Sequence, residues 1–472
     1  MTYFCLQEDL PNLPLLSAAV SSLFHLALPA NDPIQAPKHS RPTIATVPAD
    51  TVAQPRSVIA GGISWRKTFS AFRHRNYRLF FGGQLVSVIG TWMQQVALGW
   101  LVYDLSKSAF TLGWVRFLSA IPVTLFTLVG GAMADRFEKR RIVILTESTA
   151  MVLAFALAAL YHFGVIQIWQ IALIGFLDGL TDAFDIPTRQ SFVIEMVGKD
   201  DLMNAIALNS SLFNGARVFG PALAGVLIGI IGLTGCFFVN GLSYLAIVAA
   251  YFAMRLPAAA PRAERKPVWH ETVEALRYVR GHRFLRGIIS LVTIVSLFGW
   301  PYSVLLPVFA RDVLHVKVSG YGYLMAANGV GALFGALTLA SLGDSVARRK
   351  LFYGGLFGFC IMLAVFALSH VYWLSAAALA GSGFFIIIFF ATANTAVQTH
   401  VPDQLRGRVM GIYALAFLGL TPFGSLLAGA IARATSASFA VSLGAVICLI
   451  AGLITMRRTR PPPPVAQPSP AS

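Results

Sequence analysis

Apolar residues in this chain do not alternate with polar ones. They run in blocks of about twenty, separated by short charged turns. Twelve blocks can be drawn, near 79–103, 109–133, 142–162, 165–188, 205–231, 235–254, 287–310, 320–342, 351–369, 372–397, 409–432 and 438–456. At 1.5 Å per residue, each is long enough for a helix to cross a hydrocarbon layer about 30 Å thick. A helix satisfies its own backbone hydrogen bonds in lipid, which an open sheet cannot do. The pattern therefore predicts an all-α integral membrane protein with 12 transmembrane helices. Composition agrees: 56% of residues are hydrophobic and 12% charged, about half the charge usual in soluble domains.

The blocks repeat. Gly113, Asp135 and Arg140-Arg141 recur 209 positions later as Gly322, Asp344 and Arg349-Lys350. Val197, Gly215 and Ala224-Gly225 recur 204 positions later as Val401, Gly419 and Ala428-Gly429. Two parallel six-helix bundles leave such a trace, with a binding cavity where they meet. The predicted organisation is a first bundle over 64–256, a connection over 257–286 and a second bundle over 287–457. In the connection, Trp269, Val273, Leu276 and Val279 share a helical face opposite Arg277 and Arg280, as in a helix lying at a membrane interface. Residues 1–63 read as a disordered extension or a start placed too far upstream, and 458–472 as a Pro-rich tail.

A net charge of +16 raises the question of nucleic acid. With loops assigned alternately to two sides, 27 of the 36 Lys and Arg fall on one side. Only Lys107, Arg311, Lys317 and Arg433 fall on the other. The positive-inside rule puts the basic side, both termini and the 257–286 connection in the cytoplasm. Topology accounts for the basicity, so no nucleic-acid partner is expected.

In block 4, Asp178, Asp182 and Asp185 are spaced i, i+4, i+7 and share a face. A charge at the centre of a membrane helix costs about 2.5–3.5 kcal/mol on insertion scales, so three on one stripe need partners or water. Counted along the helices, Asp178 lies about 15 Å deep and Arg217 of block 5 about 18 Å deep. Matching depths suggest an Asp178–Arg217 pair. Such a partly desolvated carboxylate beside a mobile cation suits proton exchange. Asp178, Asp182 and Arg217 are thus candidates for proton coupling, or the pair only locks blocks 4 and 5 together. Asp185 and Arg189, beside Pro187, brace the loop. Arg116 of block 2 snorkels to the outer face or meets Asp104.

Gln84, Thr91 and Gln95 follow helical spacing in block 1, with Trp92 adjacent. Together with Trp300, Tyr302, Asn394 and Gln398 they either line a cavity for an amphipathic small molecule or bind helices to one another. Gly220, Pro221 and Gly225 of block 5 predict a bend with a tight helical contact, either gating a pathway or simply packing. No GxxxxGK[ST], HExxH or GxSxG occurs. Cys5, Cys236, Cys360 and Cys448 are isolated, without metal-like spacing. No catalytic residue, cofactor or metal site is expected.

Between blocks 2 and 3 lies Gly131-Ala-Met-Ala-Asp135-Arg136-Phe-Glu-Lys-Arg140-Arg141, a tight charged turn in which the Gly would permit close helix contact. In this setting it resembles motif A of the major facilitator superfamily, and the likeness extends over 64–457. Asp344, Arg348 and Arg349 form its degenerate second copy. Gly220-Pro221 and Gly225 are similar to the antiporters' motif C, with Ala224 where a second Gly is common. The stretches Asn76–Gln84, Trp100–Asp104, Ala183–Gln190 and Val401–Gly411 resemble the third drug:proton antiporter group, which includes macrolide efflux proteins and the enterobactin exporter. The resemblance implies a monomeric exporter of the cytoplasmic membrane that trades protons for an amphipathic solute by alternating access. Uptake by symport and a transport-inactive scaffold are the alternatives. It also implies that Asp135 faces residues 404–410 of helix 11 in the outward-open state, although Glu138 stands where Gly is usual.

Overall fold

The computed structural model describes residues 69–255, 269–342 and 347–458. The expectations for 1–63, for 257–268, for Asp344 and for the tail beyond 458 lie outside the described residues. Every regular element within them is helical. In chain order they are α1 (Arg75–Ser106), α2 (Ala109–Arg136), α3 (Lys139–His162), α4 (Ile168–Val197), α5 (Leu202–Ala253) and α6 (Trp269–Gly281). There follow α7 (Arg283–Val313), α8 (Val318–Leu342), α9 (Arg348–Leu368), α10 (Tyr372–His400), α11 (Leu405–Ala434) and α12 (Ala437–Arg458). Ten of these are long and apolar enough to span a membrane, so the chain is a multi-pass membrane protein. The short α6 is not among them, nor is α4, which has 30 residues but carries Asp178, Asp182 and Asp185.

Local chemistry sets the boundaries. Lys107 takes a left-handed conformation (φ 50°) that ends α1. Ser108 then caps α2, its hydroxyl accepting the Thr111 N–H at 3.3 Å. Within the 52 residues of α5, Gly232 has φ 68° and ψ −176°, which divides the element into helices over 202–231 and 233–253. A side chain there would be strained. Pro221 lies inside the first of these helices and keeps helical angles. Wide π-type turns interrupt α7 at Val295–Gly299 and Phe309–Val313, and α11 at Leu415–Gly419. Such turns re-aim the side chains that follow, and Trp300 follows the first of them.

Helices α1 to α5 pack largely on one another, and so do α7 to α12. The internal repeat is visible in that packing. A Cβ on Gly179 of α4 would strike the Ser119 carbonyl oxygen of α2, and one on Gly383 of α10 would strike the Asn328 carbonyl oxygen of α8. Ser119 and Asn328 are 209 positions apart, and the two glycines 204, the same offsets as the sequence repeat. Two close glycine crossings join the halves. Between α5 and α8, a Cβ on Gly322 would lie 2.6 Å from Gly225 Cα. Between α2 and α11, one on Gly113 would lie 3.2 Å from Gly429 Cα. Small residues at these crossings let the backbones touch.

The connection does form a helix, α6, but it buries Ala275 and Val279 and leaves Leu276 exposed. Its neighbours are α7 and the start of α11.

Candidate functional site

Between the two sets of helices lies a cavity of about 190 Å³. α1 contributes Trp92 and Gln95, α2 Arg116 and Ser119, α5 Arg217 and Pro221, α7 Trp300 and Tyr302, and α8 Tyr321, Met325 and Asn328. Four of the eight cavity residues expected from sequence therefore line it: Trp92, Gln95, Trp300 and Tyr302. The other four do not. Gln84 is buried with its Oε1 unpaired. The Thr91 hydroxyl lies 3.0 Å from the Ser87 carbonyl and 3.2 Å from the Tyr244 hydroxyl, tying helices together. Asn394 and Gln398 lie further along α10, outside the lining.

Arg217 does not reach Asp178. Its Nη2 donates to Asn328 Oδ1 at 3.3 Å, and its guanidinium sits 5.4 Å from the centroid of Trp300. Both contacts are to the other half of the chain. Asn328 is held in turn, its Nδ2 donating to the Tyr302 hydroxyl (2.7 Å), the Leu379 carbonyl (3.1 Å) and Ser382 Oγ (3.2 Å). Trp300 packs edge-on against the touching rings of Phe390 and Phe417, with centroids 5.7 and 5.9 Å away.

Arg116 is the cation acting on Asp178, and Asp182 lies in the field of both Arg189 and Arg116. Arg116 is exposed, because it points into the cavity rather than to the outer surface. Asp104 has other partners, Lys107 at 2.6 Å and Arg311, so neither sequence reading of Arg116 holds. Asp185 pairs with Arg189 at 3.3 Å and accepts from Thr146 Oγ1 at 3.1 Å, deep in the fold rather than at a loop. Glu147 of α3, only 5% exposed, belongs to the same cluster and lies in the field of Asp185 and Arg189. Sequence reading passed over it. A lone carboxylate inside block 3 was the available signal.

One end of the cavity is shut. The Tyr103 hydroxyl donates to Asp312, and Arg311 pairs with Asp104, so the end of α1 is tied to the end of α7. The Gly225–Gly322 and Gly113–Gly429 crossings reinforce the closure. At the other, basic end lies the turn between α2 and α3. There Lys139, buried, pairs with Glu195 at 2.5 Å, and Arg140 Nη2 donates to the Phe252 carbonyl at 2.8 Å. Arg141 pairs with Glu138 at 2.6 Å, while Asp135 and Arg136 are exposed. The glycine in close contact is Gly130, whose Cβ would strike the Ala183 carbonyl oxygen; one on Gly131 would only reach Pro187 Cβ at 4.0 Å. On the duplicated turn, Arg349 Nη2 donates to the Met456 carbonyl at 2.9 Å, and Arg348 is exposed.

Next to the turn, Asp201 meets Arg73 and His74, each at 2.7 Å. Hydrogen bonds from Ser70 and His74 hold its carboxyl below the usual carboxylate range.

A multi-pass helical protein whose two sets of helices enclose a largely apolar cavity with two arginines, shut at one end, has the build of a membrane transporter. Residues 66–469 match the family described as transmembrane secretion effectors, and the chain belongs to that branch of the major facilitator superfamily. It is 26% identical over 358 residues to a staphyloferrin A transporter of Staphylococcus aureus, covering 74% of this chain and 88% of that protein. To the enterobactin exporter EntS of Citrobacter koseri it is 25% identical over 416 residues, covering 86% and 99%. The solved nucleoside transporter NupG superposes with a TM-score of 0.65 at 12% identity, covering 81% of this chain and 99% of that one, a likeness of fold alone.

Proposed function

We propose that the chain is a proton-driven exporter of an amphipathic small molecule, working by alternating access across the cytoplasmic membrane. Twelve spans follow if α4 and both helices of α5 are counted with the other long helices, as two six-helix bundles. The excess of Lys and Arg at one end makes that end cytoplasmic, so the cavity faces inward in this structure. The observation that carries the reading is the cavity itself, lined from both halves and closed at one end by the Tyr103–Asp312 and Asp104–Arg311 contacts.

Coupling is assigned to Asp178 and Asp182, with Arg116 opposite. When both carboxylates are ionised, Arg116 is neutralised. When they carry protons, Arg116 is left without a counter-charge in a low-dielectric site, which favours a rearrangement that resolvates it. Protons enter from the outer side and leave on the cytoplasmic side by way of Asp182, which is exposed. Asp135 engages the start of α11 when the inner side closes. The exporter name of the Citrobacter koseri relative supports the direction, and the names of both relatives support the small-molecule cargo.

The test is a growth-inhibition panel in an efflux-deficient host. The intact chain should protect against some amphipathic compound, and Asp178→Asn at equal membrane abundance should not. Solute moving into inverted vesicles under an inward-acid gradient would establish export, and movement the other way would replace it with uptake.

A further inference from the structure

The residues lining the cavity include two arginines and no carboxylate. The two cations are not equivalent. Neither forms an ion pair among the described residues, but Arg116 lies in the field of Asp182 and Asp178 on α4. Among the described residues no carboxylate acts on Arg217, whose charged neighbourhood holds only Tyr302. A guanidinium has five N–H donors, and Arg217 meets a neutral acceptor at Asn328 and the face of Trp300. The Asn328 amide is committed on its nitrogen side to three acceptors, which fixes its oxygen toward Arg217. The edge-on rings of Phe390 and Phe417 likewise fix Trp300. Arg217 is thus held in position by the second half while keeping its full positive charge.

Placing an uncompensated cation deep in a membrane protein is costly, and the surroundings hold it in place without neutralising it. From that juxtaposition we propose that the transported solute is an organic anion. Its acidic head meets the Arg217 guanidinium, and its apolar or aromatic body lies against Trp300, Trp92 and Met325. A carboxylate matches the guanidinium fork with two parallel hydrogen bonds, which an ammonium side chain does not offer. The neighbouring indole rings supply flat apolar surface. The inference rests on the exporter reading for its biological setting, because the same site is taken to be the transport site. The binding chemistry itself needs no gradient. Anion binding bridges α5 of the first half to α7 and α8 of the second, so the ligand also joins the two parts that must move.

The test uses equilibrium binding to the purified full-length chain in lipid nanodiscs, with radiolabelled 1-naphthoate and 1-naphthamide as matched probes of nearly the same shape. One charge-assisted bond gained should favour the acid by about tenfold or more. Arg217→Gln should bring the two probes to within about twofold of each other, and Arg217→Lys should retain part of the preference. Each variant is checked for a monodisperse elution profile and an unfolding temperature near the parent's. Should Arg217→Gln fail that check, the parent's acid-to-amide ratio and the Lys variant still decide. Equal binding of both probes, binding of neither, or a preference that survives Arg217→Gln overturns the inference. Export demonstrated in cells together with equal probe binding would sink the anion assignment and leave the exporter standing. An Arg217-dependent acid preference without any gradient-driven flux would do the reverse.

Discussion

At the repeat offset of 204 residues, Asp178 in α4 corresponds to Ser382 in α10, Asp182 to Ile386, Asp185 to Phe389 and Arg189 to Ala393. At the offset of 209, Arg116 in α2 corresponds to Met325 in α8. All four counterparts in α10 are completely buried, whereas Asp182 is exposed. The glycine contacts that bring α4 onto α2 are nonetheless repeated where α10 meets α8. One packing plan therefore carries two chemistries. In the second half it is sealed by hydrocarbon and by the neutral Asn328–Tyr302–Ser382 network. In the first it holds four carboxylates and two arginines that demand water, protons or each other. Helix packing in a membrane is satisfied by small residues and shape, so the charges are not needed to build the fold and are better explained by what they do.

The sharpest way to break the comparison is to neutralise one position in each half. Asp178→Asn should reduce proton-driven flux in proteoliposomes to background, while Ser382→Ala should leave most of it. Equal loss in both would erase the distinction between the halves. The crossings between halves come next. Gly322→Ala places a Cβ against Gly225, and overpacking of this kind costs about 1–3 kcal/mol. It should lower the unfolding temperature or open the closed end. Gly354→Ala, where a Cβ meets nothing within 4 Å, should do neither. A variant at Gly322 that behaves like Gly354 would contradict the crossing.

These contrasts also mark how far the amino-acid pattern carried. Apolar blocks of helical length gave nearly every span, because lipid leaves so few backbone solutions. The stripe of Asp178, Asp182 and Asp185 was readable for the same reason that helical spacing is: residues four apart share a face. Depth followed from the rise per residue, which sets Asp178 and Arg217 about level. Azimuth did not. Successive residues turn by about 100°, so depth alone could not show that Arg217 faces Trp300 while Arg116 faces Asp178. The same rotation puts Gly130, not Gly131, against α4. Glu147 drew no notice in the sequence, and only the packing of α3 on α4 joins it to the cluster.

Smaller effects sharpen the comparison at the two ends. The Asp104–Arg311 pair joins the halves at the closed end, but Asp104 is 44% and Arg311 34% exposed. Pairs of that kind contribute about 1 kcal/mol or less. Arg311→Gln should therefore raise labelling of the cavity from the closed side by about fivefold at most; complete opening would mean that this pair alone holds the gate. At the basic end, the carboxyl of Asp201 is held low by Ser70 and His74. A lowered folded value stabilises above the unfolded carboxylate range, and the benefit disappears as pH falls through the folded value. Asp201→Asn should slightly lower the unfolding temperature at neutral pH and leave it unchanged in strong acid. A uniform drop across pH would show a packing role instead.

The central claim is that protons at the first-half carboxylates decide which end of the shared cavity is open. It is tested most directly by a cysteine at the cavity-lining Gln95 in the otherwise cysteine-free chain, reconstituted in vesicles and labelled with a membrane-impermeant maleimide from each side in turn. Without a gradient, label should enter from the basic end; acidifying the opposite side should shift labelling to that side in the parent and not in Asp178→Asn. Labelling from one side under every condition, or a shift that persists in Asp178→Asn, would contradict it.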